Sequence, residues 1–127
     1  MIDFKRERIA VVFKDGLDYC TNFCELCKFY NDGIVIDDSS YLKGGNLFFN
    51  GERRSINKSY YRILCALVAN VGNVVTREYL LKYGWLNQTN VINNVNVAIS
   101  ELRSSLRGTN MQIITIRKVG YLLVVQE

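Results

Sequence analysis

Residues 90–125 read NVINNVNVAISELRSSLRGTNMQIITIRKVGYLLVV, and the spacing of their apolar residues changes at Gly108. Before this glycine, apolar residues recur at intervals of three and four, which is the period of a helix with one buried face. These apolar positions are Val91, Val95, Ile99, Leu102 and Leu106. After the glycine, two β-rich runs flank a segment that contains Arg117 and Lys118. The second half of the stretch therefore predicts a β-hairpin with a basic tip.

Two further helical segments precede this stretch. The first is predicted to begin with Asn57 or Ser59 as its N-cap and to stop at Gly72, where a left-handed backbone is favourable. The second is shorter, with Thr76 as the predicted N-cap and an end near Gly84. Three helices followed by a hairpin predict a helix-turn-helix with a wing, whose third helix exposes a polar face.

The sequence before the helices is typical of short strands. β-like runs lie between Ile34 and Phe49, and Asn50-Gly51 is a typical two-residue hairpin turn. We expect an antiparallel sheet of three or four strands here, and an N-terminal extension over residues 1–30 that consists of a strand and a cysteine-containing helix. Residues 31–127 are then one domain. The predicted class is α+β: a winged helix-turn-helix with an N-terminal antiparallel sheet, three helices and a C-terminal β-hairpin wing.

The charges are distributed unevenly along the chain. Residues 1–50 carry six basic and eight acidic side chains, a net charge of −2, whereas residues 51–127 carry ten and four, a net charge of +6. This asymmetry indicates either a polyanionic partner for the second half or ordinary scatter of surface charge. The chain has no histidine, which excludes most His-dependent catalysis and zinc chemistry. No nucleophile with a base and an orienting group is visible, so we expect no enzyme.

Membrane and secretion signals are also missing from the sequence. No apolar run approaches the roughly 18 residues that a membrane span needs, and the first residues do not resemble a secretory signal. We therefore expect no membrane segment within this chain and a cytoplasmic location.

The second half resembles the OmpR/PhoB-type winged-helix domain of bacterial transcription regulators. The residues that carry the resemblance are 72–78, Leu80, Trp85, 94–99, Leu102, Arg103, Leu106, 113–117, Gly120 and Tyr121. The similarity extends over about residues 33–125. It implies a sequence-specific regulator that binds double-stranded DNA as a homodimer, without a cofactor. The chain would be either a stand-alone member or the cytoplasmic part of a membrane-anchored, ToxR/CadC-like regulator.

The resemblance also implies roles for individual residues. The third helix would enter the major groove and the wing would enter the minor groove, while loop 84–89 corresponds to a loop that contacts RNA polymerase in some members. The implied phosphate contacts are Asn93, Asn94, Ser100 and Arg103. The implied base-facing residues are Asn96, Val97 and Glu101, with Ser100 beside them. The implied wing contacts are Thr115, Arg117 and Tyr121, and we add Lys118 at the wing tip.

Some positions depart from the family pattern. Ser100 and Glu101 stand where many members have basic residues, and a glutamate accepts from cytosine but repels phosphate. Lys118 occupies a position that is often glycine, and a positive φ there would cost roughly 1–2 kcal/mol. Among the asparagines, Asn96 is the best candidate for pairing with adenine. We expect Trp85 and Tyr121 to pack rather than to stack on bases. The weakly basic third helix also permits an alternative function, a protein-interaction module that acts as an adaptor or antagonist of another regulator.

Cys20, Cys24 and Cys27 form the one motif that this function leaves unexplained. Their spacing suits a metal ion or an iron–sulfur cluster, for which distant Cys65 could supply a fourth thiolate. On a helix, however, the same spacing places all three on one apolar face, where a free cysteine is a small buried residue. A redox switch is the third alternative. We predict neither a metal site nor a cofactor.

Overall fold

The computed structural model describes residue 24 and residues 27–85 and 93–126. A short helix α1 (Lys28–Asp32) leads into a four-stranded antiparallel sheet in the order β1-β2-β3-β4. Its strands are β1 (Ile34–Val35), β2 (Ser40–Lys43), β3 (Asn46–Phe49) and β4 (Glu52–Ser55). Asn50 and Gly51 join β3 to β4 with φ values of 51° and 84°. A positive φ at both central residues is typical of a type I′ hairpin turn, as the sequence predicted.

Helix α2 (Lys58–Ala69) is the first of the three predicted helices. Asn57 Oδ1 accepts from the backbone N–H of Ser59 at 2.9 Å and of Tyr60 at 3.4 Å, so Asn57 is the N-cap and Ser59 is not. The helix ends at Ala69, whereas the sequence predicts its end at Gly72. Gly72 does have a positive φ of 83°, but its N–H donates to the carbonyl of Leu123 at 2.8 Å.

A two-residue strand that we did not predict, β5 (Val75–Thr76), comes next, followed by α3 (Arg77–Gly84). Thr76 caps α3 as expected, since its hydroxyl accepts from the N–H of Tyr79 at 3.2 Å. Strand β5 also pairs with the C-terminal hairpin, with Thr76 opposite Gly120. A Cβ at Gly120 would collide with the carbonyl of Val75, and this close approach explains the glycine.

The third predicted helix is α4 (Asn93–Ser105), and it is followed by β6 (Met111–Ile116) and β7 (Gly120–Val125). Helix α4 ends at Ser105, three residues before Gly108, the glycine at which the sequence pattern changes and which has a φ of 85°. Residues 86–92 lie outside the described residues, so only Gly84 and Trp85 of loop 84–89 are described. Strands β6 and β7 are the predicted hairpin, and with β5 they form a three-stranded sheet in the order β5-β7-β6.

One hydrophobic core joins the two sheets and the three helices. Its largest fully buried side chains come from both sheets and from α2, α3 and α4: Leu42, Leu47, Tyr61, Ile63, Leu64, Leu67, Val68, Leu80, Tyr83, Ile99, Leu102 and Leu123. Helix α1 packs on this core through Tyr30, whose ring lies edge-on to Tyr61 with centroids 5.7 Å apart. Within the described ranges, no helix is long and apolar enough to cross a membrane.

Candidate nucleic-acid interface

Helix α4 buries one face and exposes the other. Val95, Ala98, Ile99 and Leu102 lie in the core, which leaves a mostly polar face in solvent. The exposed residues of α4 that the sequence pointed to are Asn93, Asn96, Val97, Ser100, Glu101 and Arg103, and Asn94 is half-buried. We call this face, together with Arg77, Thr115, Arg117, Lys118 and Tyr121, the α4–wing surface.

The tip of the wing is a tight turn that carries two positive charges. The N–H of Val119 donates to the carbonyl of Ile116 at 3.0 Å, and Lys118, the third residue of this four-residue turn, has a φ of 65°. A type II turn requires a positive φ at this position and favours glycine there. The strain that we expected at Lys118 is therefore present, and both Arg117 and Lys118 are exposed.

Tyr121 joins the wing to α4. Its side chain is 5% exposed, as we expected for a packing residue, and its hydroxyl donates to Asn96 Oδ1 at 2.8 Å. Hydrogen bonds between side chains that are distant in sequence fix the elements that carry them relative to each other. Strand β7 therefore holds the outer face of α4 in register with the wing.

Arg103 makes a second connection between α4 and the wing. Its Nε and Nη2 donate to the carbonyl of Ile113 at 3.2 and 2.9 Å, and Nη2 also donates to the hydroxyl of Thr115 at 2.8 Å. A guanidinium has five N–H donors. The two on Nη1 form no hydrogen bond with the described residues, so Arg103 can hold the wing and still donate to an external phosphate.

Arg77 belongs to the α4–wing surface, although the sequence did not suggest a role for it. Its guanidinium carbon lies 5.1 Å from the centroid of the Tyr121 ring, and that of Arg103 lies 6.0 Å from the same centroid. Arg77 is the first residue of α3, where a positive charge opposes the helix dipole. An arginine at the start of a helix is the sequence feature that could have indicated a role for Arg77. Only the pairing of β5 with β7, however, shows that Arg77 is next to the wing.

Two of the cysteines are partly exposed and one is buried. Cys24 is 8% exposed, and Arg62 Nη1 lies 3.6 Å from its sulfur, while Cys27 and Cys65 are half-buried. None of these three described cysteines forms a disulfide bond. Cys20 lies outside the described residues, and within them no three His, Cys, Asp or Glu side chains are grouped so as to hold a metal. Buried packing, a metal site and a redox switch remain alternative predictions for these residues.

Comparison with known proteins assigns the fold to a family. The family described as "Transcriptional regulatory protein, C terminal" matches residues 51–123, which is more than half of the chain. The chain belongs to this family. It therefore carries the OmpR/PhoB-type DNA-binding domain of a transcription regulator, and the resemblance and fold predicted from the sequence are confirmed.

The family domain is similar to parts of longer regulators. VxrB of Vibrio cholerae, a transcriptional regulatory protein, is 36% identical over 76 residues, which cover 59% of this chain and 30% of VxrB. The response regulator ArlR of Staphylococcus haemolyticus is 35% identical over 95 residues, which cover 72% of this chain and 42% of ArlR. The chain thus spans less than half the length of either relative.

Solved structures agree with this family assignment. The DNA-binding domain of Klebsiella pneumoniae RstA, crystallised in complex with the RstA box, is 26% identical, with a TM-score of 0.61 over 74% of this chain and 98% of that one. DrrB of Thermotoga maritima, an OmpR/PhoB homologue, is 26% identical, with a TM-score of 0.63 over 94% of this chain and 62% of DrrB.

Proposed function

We propose that this chain regulates transcription by binding specific DNA sites, with α4 in the major groove and the wing in the adjacent minor groove. The observation that carries the proposal is the α4–wing surface itself. An exposed polar helix face continues, through the Tyr121–Asn96 hydrogen bond, into a wing tip with two positive charges. A helix of this kind fits the major groove, and basic residues beside it suit phosphates or a narrow minor groove.

In this proposal, affinity and sequence preference come from different residues. Arg77, Arg103, Arg117 and Lys118 supply positive charge for the phosphate backbone, with Asn93, Asn94 and Thr115 as neutral donors. Base reading falls to the exposed middle of α4, where Asn96, Val97, Ser100 and Glu101 lie. Val97 is 46% exposed, and its methyl groups suit contact with the methyl group of thymine.

The salt dependence of binding tests the phosphate contacts. The affinity for DNA falls as the salt concentration rises. Each phosphate contact makes the slope of log affinity against log salt concentration steeper by about 0.9. We expect the double variant Arg103→Ala/Arg117→Ala to lower affinity and to reduce this slope by about 1.8. Lys43→Ala is the matched control, because Lys43 is an exposed cation on β2 outside the α4–wing surface.

Band shifts on promoter DNA over a series of salt concentrations would give these slopes. An unchanged affinity in the double variant would refute the mechanism. Absence of DNA binding even at low salt, together with stable co-purification of a protein partner, would favour the protein-interaction module.

We further propose that the chain binds repeated half-sites as a homodimer and that loop 84–89 contacts RNA polymerase. The second assignment rests on the family resemblance, and Trp85 at the start of this loop packs edge-on to Tyr60, with centroids 6.4 Å apart. Affinities for DNA with one and with two half-sites test the dimer. Equal affinity per site, without cooperativity, would contradict it.

A further inference from the structure

We propose that Tyr121 is a positioning residue that sets the base preference of Asn96. Its hydroxyl holds the oxygen of the Asn96 amide, so that the amide nitrogen is the group left to meet a base. This inference rests on the proposed function and assigns one feature of its specificity.

The Tyr121 hydroxyl is a rigid reference point. The side chain is 5% exposed, and its strand β7 lies between β5 and β6, paired on both sides. The guanidinium groups of Arg77 and Arg103 lie 5.1 and 6.0 Å from the ring centroid. These contacts restrict the ring, and therefore the position from which the hydroxyl donates.

Asn96 is exposed, and only one end of its amide is engaged. Oδ1 accepts from Tyr121 at 2.8 Å, while Nδ2 forms no hydrogen bond within the described part of the chain. The terminal torsion of an asparagine is broad and roughly two-fold, so a free amide presents oxygen or nitrogen with similar ease. In the structure Tyr121 donates its hydroxyl proton to Oδ1, so the oxygen lies on the protein side and the nitrogen is the unengaged end of the amide.

An outward amide nitrogen selects bases by their acceptors. In the major groove, guanine offers N7 and O6, adenine offers N7 and thymine offers O4, whereas cytosine offers an amino donor. Asn96 therefore discriminates against cytosine at the base that it meets. From the sequence we expected adenine at this base. The full bidentate pair with adenine also uses the amide oxygen, so a nitrogen that acts alone can bind guanine or thymine as well.

The test compares base preferences rather than total affinity. The full chain is used to select binders from a library of randomised double-stranded DNA, and affinities are then measured for every single-base-pair variant of the selected site. Tyr121→Phe keeps the ring and removes the hydroxyl. We expect it to reduce discrimination at one base pair by about fivefold, the equivalent of one net hydrogen bond, and to leave the other positions unchanged.

A second variant reverses the chemistry at the same position. Asn96→Asp still accepts from Tyr121, but it presents an acceptor in place of the two N–H donors. We expect the preferred base at that pair to change to cytosine. Tyr41→Phe is the matched control, because Tyr41 is exposed on β2 and stacks on Phe48, so its profile should equal that of the unmodified protein. Thermal unfolding confirms that each variant is folded.

The outcomes separate this inference from the function on which it rests. A uniform loss of affinity at all positions in Tyr121→Phe would show that the tyrosine is only structural. An unchanged preference in Asn96→Asp would show that Asn96 reads no base, and either result overturns the inference while DNA binding stands. If no sequence is enriched from the library, the proposed function fails and the inference fails with it.

Discussion

Two residues of the α4–wing surface, Lys118 and Arg77, place a positive charge there at a cost in stability. Lys118 has a φ of 65°, which an L-residue with a side chain adopts at a cost of roughly 1–2 kcal/mol. Arg77 has its positive charge at the start of a helix, where the dipole repels it. Both residues are at the surface where a polyanion would supply the compensating interaction. Strain at such positions is therefore consistent with function.

Removing the side chain of Lys118 in two ways separates strain from charge. Lys118→Gly relieves the positive φ and should raise the free energy of unfolding by about 1 kcal/mol. Lys118→Ala keeps the strain, so we expect no such gain. Both variants should lower the salt slope of DNA binding by about 0.9. Urea unfolding and band shifts measure the two effects, and equal stabilities of the glycine and alanine variants would contradict a strained turn.

Tyr61 makes stability dependent on pH in the alkaline range. Burial raises the pKa of its phenol well above the usual 10.0, with a smaller contribution from Cys65. The folded protein then keeps a proton that the unfolded chain releases above about pH 10. The free energy of unfolding should therefore fall as the pH rises beyond 10. Among the described residues, no partner lies within hydrogen-bonding geometry of the Tyr61 hydroxyl, although the nearby backbone of Gly45 offsets part of the rise in its pKa.

We expect Tyr61→Phe to flatten this alkaline loss and to change stability at neutral pH by less than about 1 kcal/mol, since no hydrogen bond is lost. Tyr41→Phe serves as the control, because Tyr41 is exposed. Urea unfolding at pH 7 and at several values above 10 gives both quantities. A parallel alkaline decline in Tyr61→Phe and the unmodified protein would exclude this phenol as its cause.

At the scale of elements, the N-terminal sheet holds the end of α4. Arg54 on β4 donates through Nη1 to the carbonyls of Ser105 and Arg107 at 2.8 and 2.7 Å, and its Nε pairs with Glu52 at 2.9 Å. The last carbonyls of a helix have no partner within the helix, and a cation there also suits the dipole. The sheet thus fixes the C-terminal end of α4, the helix that is proposed to enter the major groove.

Arg54→Ala should lower the free energy of unfolding by about 1–2 kcal/mol, because the carbonyl of Ser105 at the helix end and that of Arg107 just beyond it lose a charged donor. Arg53→Ala is the control, since Arg53 is the exposed neighbour on the same strand. Urea unfolding measures stability, and hydrogen exchange should show faster opening at the C-terminal end of α4. Equal losses in the two variants would mean that the contacts of Arg54 do not tether the helix.

At the scale of the whole molecule, the two sheets share one core. Leu42 and Leu47 of the first sheet and Leu123 of the wing sheet are fully buried in the same cluster as the helices. A core shared in this way couples the folding of distant elements, as in a small two-state domain. The four-stranded sheet is thus part of the folding unit of the DNA-binding half.

Leu42→Ala should therefore destabilise the entire described unit by about 2–5 kcal/mol. The fluorescence of Trp85, the single tryptophan, reports on the helices, while far-ultraviolet circular dichroism reports on all elements. We expect both signals to shift to the same lower midpoint in urea. The exposed substitution Val35→Ala in the same sheet should have a much smaller effect. Separate midpoints in Leu42→Ala would show that the sheet unfolds independently of the helices.

Features that depend on neighbours in sequence were predictable. Thr76 was recognised as a helix cap and Asn50-Gly51 as a turn, because each acts within a few residues of its own position. The buried face of α4 followed from the helical period, and the positive φ of Lys118 was anticipated from a position that is often glycine in the family. These local rules were sufficient to predict the winged helix-turn-helix, whereas the DNA contacts of the candidate site stay predictions.

Contacts between distant residues needed the tertiary structure. Strand β5 is only two residues long and has no periodicity to detect, so its pairing with β7, and with it the place of Arg77 beside Tyr121, could not be predicted. The same holds for the bond from Tyr121 to Asn96, two residues that lie 25 positions apart. Short-range chemistry determines where helices and turns begin, whereas the direction of each side chain at the interface depends on how the finished elements pack.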